Sequence, residues 1–250
     1  MKFDNYFDQQ FELRYFEMYK LGLATPTIML GLLEETAADH CYAIDHSIFD
    51  LFKMNVGWVL VSGVLQMDRY PSYKEKITIR TWLSSYSSIK GYRENIIFDE
   101  NQNIIGRAKG LWVFFDIEKR KPIPIFNTIK EQWSFFNTSS IEHDIKKKIN
   151  AVDSAHYTKQ FTVHRFDTDM NKHVNNIRYL QWVIESIPED IVENYYLHTI
   201  DGRFIAEAQY SDTVLSLTKE LPSATAFEHT IKIEGSDKIC ATAHTHWKTY

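Results

Sequence analysis

The segment TDMNKHVNNIRYLQW, residues 168–182, places three polar side chains with different chemistry at alternate positions. Asp169 is an acid, Asn171 is an amide and His173 is a base. A carboxylate and an imidazole can exchange protons with a substrate, and an amide can donate to a carbonyl oxygen or orient a water molecule. The spacing therefore indicates either a very polar helix cap or a reaction site.

The elements around this segment predict where the polar cluster lies. Residues 160–166, QFTVHRF, are typical of a strand, and Asn175 or Asn176 is a suitable helix N-cap. The apolar stripe of the predicted helix consists of Ile177, Leu180, Ile184 and Ile187. The cluster would then lie in a strand-to-helix turn, where unpaired backbone N–H groups and the helix dipole can stabilise an oxyanion.

The two halves of the chain resemble each other at an offset of 150 residues. Residues 10–22 align with residues 160–172, and predicted helices begin at Thr25 and Asn175. The identical pairs at this offset are Gln10 and Gln160, Phe11 and Phe161, and Phe16 and Phe166. The order of elements also repeats, so we interpret the chain as a duplication.

Only the second copy carries the polar cluster. The first copy has Tyr19, Leu21 and Leu23 at the matching positions. If these polar groups were needed to cap the helix, both copies would need them. This difference favours one reaction site per chain.

Each predicted helix is followed by strand-like segments rich in β-branched and aromatic residues, with hairpin turns at residues 99–103 and 234–238. This pattern predicts an α+β fold of two domains, each a long helix packed on an antiparallel sheet, with the sheets side by side. We expect domains at residues 1–130 and 156–250, joined by a polar linker at residues 131–155.

Composition narrows the class of protein. Lys and Arg number 28 against 33 Asp and Glu, a net charge of −5, which argues against a nucleic-acid binder. We expect no membrane association, because there is no long apolar run and the N-terminal residues are too polar for a signal peptide. The two cysteines, Cys41 and Cys240, form no motif, which fits a reducing cytoplasm.

Residues 167–186, DTDMNKHVNNIRYLQWVIES, resemble the signature of acyl-ACP thioesterases, which release fatty acids from acyl carrier protein (ACP). That family is built from two fused hotdog domains, so the resemblance implies this fold for the tandem halves. It also implies catalytic roles for Asp169, Asn171 and His173, together with a Glu on a later strand. That Glu falls on Glu207.

The resemblance implies an acyl pocket shaped by the first domain and a mechanism based on carboxylates. Plant members carry a Cys directly after the Glu, but this chain has Ala208 there, so we expect no thiol nucleophile. We expect Glu207 to activate water, while Asn171 and a backbone N–H at the helix start hold the carbonyl oxygen. His173 would position groups or shuttle a proton. Asp169 would orient Asn171 or the water, and its direct attack with a mixed-anhydride intermediate stays open.

Because ACP is strongly acidic, a chain of net charge −5 needs a local basic patch to bind it. Lys172 and Arg178 flank the motif, and we predict that they contact substrate together with Asn175 and Asn176. Other candidate patches are residues 118–121 and 146–148.

Several alternatives remain open at this point: an acyl-CoA thioesterase, a non-catalytic acyl-thioester sensor and a hotdog dehydratase. A metal site at His244 and His246 lacks an evident third ligand, and we expect neither metal nor cofactor. The tandem domains could pair within one chain, which permits a monomer or a homodimer.

Overall fold

The computed structural model describes residues 6–133, 135–170, 173–223 and 225–250. The chain divides into two compact units, residues 1–145 and 146–250. The first unit contains β1 (Phe7–Glu12), α1 (Pro26–Ala43), α2 (Ile48–Lys53), β2 (Val56–Met67), β3 (Lys76–Tyr86), β4 (Lys90–Phe98), β5 (Ile104–Asp116), β6 (Lys121–Pro122) and α3 (Asn127–Gln132).

The first unit is an antiparallel sheet with a long helix against it. Its strands are ordered β1-β3-β4-β5-β2, and the short β6 pairs with β5. The Thr25 side chain accepts a hydrogen bond from the Ile28 N–H, and Pro26 occupies the first helical position, so α1 begins where the sequence predicts. Met29 on α1 is fully buried and contributes to the core.

The second unit repeats this arrangement with β7 (Tyr157–Thr162), α4 (Asn176–Ile184), α5 (Glu189–Asn194), β8 (Tyr195–Phe204), β9 (Thr213–Glu220), β10 (Ala226–Ile233) and β11 (Ile239–Thr249). Its strands are ordered β7-β9-β10-β11-β8, the same order as in the first unit. Helix α4 packs against β9, β10 and β11. The predicted duplication is confirmed at the level of strand order.

Backbone hydrogen bonds match between the two units residue by residue. The Tyr19 N–H donates to the Leu23 carbonyl at 2.8 Å, and the Asp169 N–H donates to the His173 carbonyl at 2.9 Å. These pairs stand at the 150-residue offset found in the sequence. The backbone hydrogen bond that closes the turn before the helix is therefore present in both units, although the side chains of the turn differ.

The buried face of α4 differs from the predicted stripe. Leu180 and Ile187 are buried, but the most deeply buried side chains of the helix itself are Tyr179 and Val183. Ile187 lies beyond the helix, because α4 ends at Ile184. Tyr179 thus belongs to the face that packs on the sheet.

The segment between the domains packs closely on each of them. In the first unit, the Trp82 indole N–H donates to the Thr138 carbonyl at 2.8 Å. In the second unit, the Arg203 Nε donates to the Lys147 carbonyl at 2.9 Å, and the Thr242 hydroxyl donates to the Ile149 carbonyl at 3.2 Å. These contacts satisfy the backbone of an otherwise irregular segment.

None of the helices in the described part of the chain is long and apolar enough to cross a membrane.

Candidate active site

Asp169 and His173 lie in the turn between β7 and α4, as predicted. A short 3-10 turn covers Arg165–Asp167, and a β-bridge then joins Thr168 to Val174. The Asp169 N–H donates to the His173 carbonyl at 2.9 Å, so the chain doubles back on itself. Two predicted site residues within this turn, Asn171 and Lys172, lie outside the described residues.

Asn175 is the N-cap of α4, and its side-chain oxygen accepts from the Ile177 N–H at 2.8 Å. The Asn175 N–H donates to the Asp167 carbonyl, and the Arg178 N–H donates to the Asn175 carbonyl, both at 2.9 Å. The backbone N–H groups of Asn175, Ile177 and Arg178 therefore already donate hydrogen bonds. Asn176, the first residue of the helix, is partly buried.

Glu207 lies in the segment that connects β8 to β9, not on a strand as expected, and it reaches this turn from there. The Val174 N–H donates to the Ala208 carbonyl at 3.2 Å, and His173 forms a β-bridge with Gln209. This pairing brings the His173 Nε2 to 3.3 Å from the Glu207 Oε2. The imidazole is 18% exposed and the carboxylate 40%, so the pair opens to solvent on the carboxylate side.

Asp169 approaches His173 through the backbone. Its Oδ1 accepts from the His173 N–H at 3.4 Å, a long hydrogen bond. The described residues thus bring Asp169, His173 and Glu207 into one cluster, in which Asp169 contacts the backbone of His173 and Glu207 contacts its imidazole. This arrangement can take a proton from a water molecule and return it to a leaving group.

The first unit shows which residue corresponds to Glu207. There the Ala24 N–H donates to the Pro71 carbonyl at 2.9 Å, and Leu23 forms a β-bridge with Ser72. Pro71 therefore matches Ala208, and Tyr70 matches Glu207. With Leu23 in place of His173, the first unit has no acid–base pair at this position.

Arg178 is held beside the same turn. Its Nε lies 3.4 Å from the Asp167 Oδ1, and its Nη1 donates to the Gln181 Oε1 at 2.7 Å. The side chain is 40% exposed, so it can meet an acidic partner. In the alternative patch at residues 118–121, the Lys119 ammonium lies 3.1 Å from the Asp116 carboxylate. In the patch at residues 146–148, the Lys147 carbonyl accepts a hydrogen bond from the Arg203 Nε.

Two residues near the carboxylate were not predicted from the sequence. The Tyr179 hydroxyl accepts from the Ala208 N–H at 2.7 Å and interacts with the thiol of Cys240. Burial raises the pKa of Cys240 to about 11, so this sulfur stays a thiol at neutral pH. The only sequence signal for Tyr179 was the repeat offset, which places this polar side chain at the position of the apolar Met29 in the first unit.

The histidines of β11 form a separate feature. His244 Nε2 lies 3.3 Å from Glu228 Oε1, and the rings of His246 and His198 meet edge to face at 5.7 Å. In the described part of the chain, no group of three or more His, Cys, Asp or Glu could hold a metal ion.

Comparisons with known proteins show the family and the fold. The family model of the acyl-ACP thioesterase N-terminal domain matches residues 4–133, and that of the C-terminal domain matches residues 150–249. The chain is 30% identical over 247 residues to the chloroplastic oleoyl-ACP thioesterase of Coriandrum sativum, covering 92% of this chain and 67% of that protein. It is 28% identical to oleoyl-ACP thioesterase 2 of Arabidopsis thaliana, covering 92% of this chain and 66% of that protein.

The chain thus spans about two thirds of the length of these curated relatives. A crystal structure of an acyl-ACP thioesterase from Bacteroides thetaiotaomicron superposes with a TM-score of 0.86 at 21% identity, over 97% of this chain and 98% of that one. This similarity establishes the two-hotdog fold. Because both domain models match and together cover nearly all of the sequence, the chain belongs to the acyl-ACP thioesterase family, the hydrolases of fatty acyl-ACP thioesters.

Proposed function

We propose that this chain hydrolyses fatty acyl-ACP to a free fatty acid and ACP at the cluster of Asp169, His173 and Glu207. The observation that carries the proposal is the 3.3 Å contact between His173 and Glu207 in the unit that also carries the family motif. A carboxylate hydrogen-bonded to an imidazole can serve as the general base for a water molecule.

In the proposed reaction, Glu207 takes a proton from water, and the water oxygen bonds to the thioester carbonyl carbon. The resulting oxyanion collapses, the carbon–sulfur bond breaks, and the pantetheine sulfur leaves with a proton delivered through His173. Asp169 holds the backbone of His173 and so supports its orientation.

The donor for the oxyanion stays a prediction from the sequence. The N–H groups of Asn175, Ile177 and Arg178 already donate within the turn and the helix cap. We assign the oxyanion to the side-chain amide of Asn171, because the family motif implies this role. Direct attack by Asp169 is the competing mechanism.

ACP is the proposed acyl donor and the proposed macromolecular partner. Arg178 is 40% exposed beside the turn and would meet an acidic surface of ACP. Lys172 is proposed to act with it on the basis of the sequence alone. We also propose a cytoplasmic protein acting as a monomer or homodimer.

Thiol release from a panel of acyl-ACP and acyl-CoA substrates tests this function. Wild type should release thiol from acyl-ACP, and Glu207→Gln should lower kcat by about 100-fold or more while staying folded, because the base is lost. Wild type that binds acyl-ACP without releasing thiol would identify a sensor. Preferred release from acyl-CoA would overturn the assigned donor.

The chain offers a matched control for the carboxylate. Glu228 also lies 3.3 Å from a histidine of the second unit, His244, but on β10 and β11. Glu228→Gln should leave kcat unchanged. If Glu207→Gln keeps wild-type kcat as well, water activation by Glu207 is wrong and Asp169→Asn becomes the next variant to assay.

A further inference from the structure

One peptide group beside the proposed base is held from both sides. The Glu207 carbonyl accepts from the Lys238 ammonium at 2.6 Å, and the Ala208 N–H donates to the Tyr179 hydroxyl at 2.7 Å. These two atoms belong to the same planar peptide unit. Fixing both restricts the backbone torsion that directs the Glu207 side chain.

Tyr179 is well suited to act as an anchor because it is rigid itself. Its side chain is only 2% exposed, and its ring packs against Trp182 at 5.5 Å and Phe204 at 6.4 Å between centroids. Burial also raises the pKa of this hydroxyl, so it stays protonated at neutral pH and can accept from the N–H while donating elsewhere. The position of the hydroxyl is therefore set by packing in the core.

The first unit has the same backbone arrangement without this tether. Met29 stands at the position of Tyr179 and has no hydroxyl, while Pro71 stands at the position of Ala208 and has no N–H. The bond between the helix turn and this segment is nevertheless kept, from Ala24 to Pro71. The fold thus forms without a tyrosine–amide bond, and that bond is present in the unit that carries the carboxylate.

We propose that Tyr179 and Lys238 are positioning residues that hold the Glu207–Ala208 peptide and thereby aim the Glu207 carboxylate at the water and at His173. This inference rests on the proposed function, because it acts only through Glu207. It extends the catalytic site to a buried hydroxyl on α4 and an ammonium group next to the β10–β11 turn.

A double-mutant cycle between Tyr179 and Glu207 tests the proposal. Tyr179→Phe should lower kcat for acyl-ACP about 10- to 100-fold and leave KM within about 2-fold, because a misplaced base affects the chemical step. In a Glu207→Gln background, Tyr179→Phe should cause no further loss. A residue that only supports the fold would lower activity in both backgrounds.

Tyr157→Phe is the matched control. Tyr157 is in the same unit and donates its hydroxyl to the Glu220 Oε1 at 2.6 Å on the surface. Its replacement removes one tyrosine hydroxyl without contact to the site and should leave kcat unchanged. Thermal unfolding of every variant shows whether the folded fraction is the same.

The outcomes separate this inference from the proposed function. If Glu207→Gln abolishes turnover but Tyr179→Phe keeps wild-type kcat, the positioning role is wrong and the function stands. If Glu207→Gln is itself active, the proposed function fails first. If Tyr179→Phe is unfolded at the assay temperature, the double-mutant cycle is made with Lys238→Met instead, because Lys238 is the second residue that holds the peptide. A loss of kcat from Lys238→Met that persists in the Glu207→Gln background would overturn the proposal.

Discussion

The imidazole of His173 lies 3.3 Å from the carboxylate of Glu207, although Glu207 follows 34 positions later in the chain. The contact depends on two backbone pairings, the His173–Gln209 bridge and the hydrogen bond from Val174 to Ala208. The turn before α4 and the segment before β9 are thus joined like two short strands. This junction brings residues that are distant in sequence together at the proposed reacting centre.

His173 should contribute to the chemical step. His173→Asn removes the imidazole nitrogen facing Glu207, so we expect kcat for acyl-ACP hydrolysis to fall about 100-fold, in the range usual for loss of acid–base catalysis. Steady-state kinetics at saturating acyl-ACP measures this loss. His244→Asn, which removes a second histidine paired with a glutamate, should retain wild-type kcat. Equal activity in both variants would contradict the assigned role.

Arg178 should act in the binding of ACP. Arg178→Gln should raise KM for acyl-ACP about 3- to 10-fold at low ionic strength and leave kcat largely unchanged, because a rim charge mainly affects encounter with an acidic partner. The difference from wild type should shrink as salt is added. Lys219→Gln, which disrupts an exposed pair with Asp153, is the control. If KM changes neither with Arg178→Gln nor with added salt, Arg178 does not contribute to the binding of ACP.

The buried Glu94 should stabilise the first unit. Its carboxylate is fully buried, accepts from Ser84 at 2.7 Å and from both the N–H and the hydroxyl of Ser140, and lies 3.2 Å from the Lys109 ammonium. Glu94→Ala leaves the largely buried Lys109 ammonium without its carboxylate partner, so we expect the free energy of unfolding to fall by about 3 kcal/mol. Urea denaturation measures this change.

An exposed pair provides the comparison for Glu94. Glu185 lies 3.5 Å from Lys159, and both side chains are more than half exposed, so Glu185→Ala should change the free energy of unfolding by less than about 0.5 kcal/mol. If Glu94→Ala and Glu185→Ala lower the free energy of unfolding equally, the contacts of Glu94, including those with Ser140 in the segment between the domains, do not stabilise the first unit.

Stability should fall in mild acid because of His229. Burial lowers its pKa to about 3 from the usual 6.5, and its ring nitrogens contact the hydroxyls of Thr218 and Thr245 at 3.0 and 2.9 Å. Between these two pKa values the unfolded chain binds a proton that the folded chain does not. The stabilising effect of the neutral ring is therefore complete above pH 6.5 and is lost as the pH falls toward 3.

Urea denaturation between pH 7 and pH 5 checks this dependence. The contribution of His229 is about 1.4 kcal/mol per pH unit below pH 6.5. His229→Gln should be less stable than wild type at pH 7, and its stability should decline less steeply with acid. An unchanged slope would mean that another group governs the acid sensitivity.

Much of the fold could be predicted because its signals are local and repeated. The offset between the two halves gave the duplicated order of elements, and the turn residues at 99–103 and 234–238 gave the hairpins. The short helices α2, α3 and α5 were not predicted, because helices of six residues lack a sustained apolar period. The end of α4 at Ile184 was also missed, since the apolar stripe continues to Ile187.

The sequence by itself determined the family, the duplicated architecture and the residue types of the site, because the spacing of Asp169, Asn171 and His173 is a local property of one turn. Only the tertiary structure decided which groups meet. The contact of Glu207 with His173 and the bond of Tyr179 with Ala208 arise from pairing across long chain separations and from packing of α4 on the sheet. No periodicity in a single segment encodes such contacts, because they depend on how the whole unit folds.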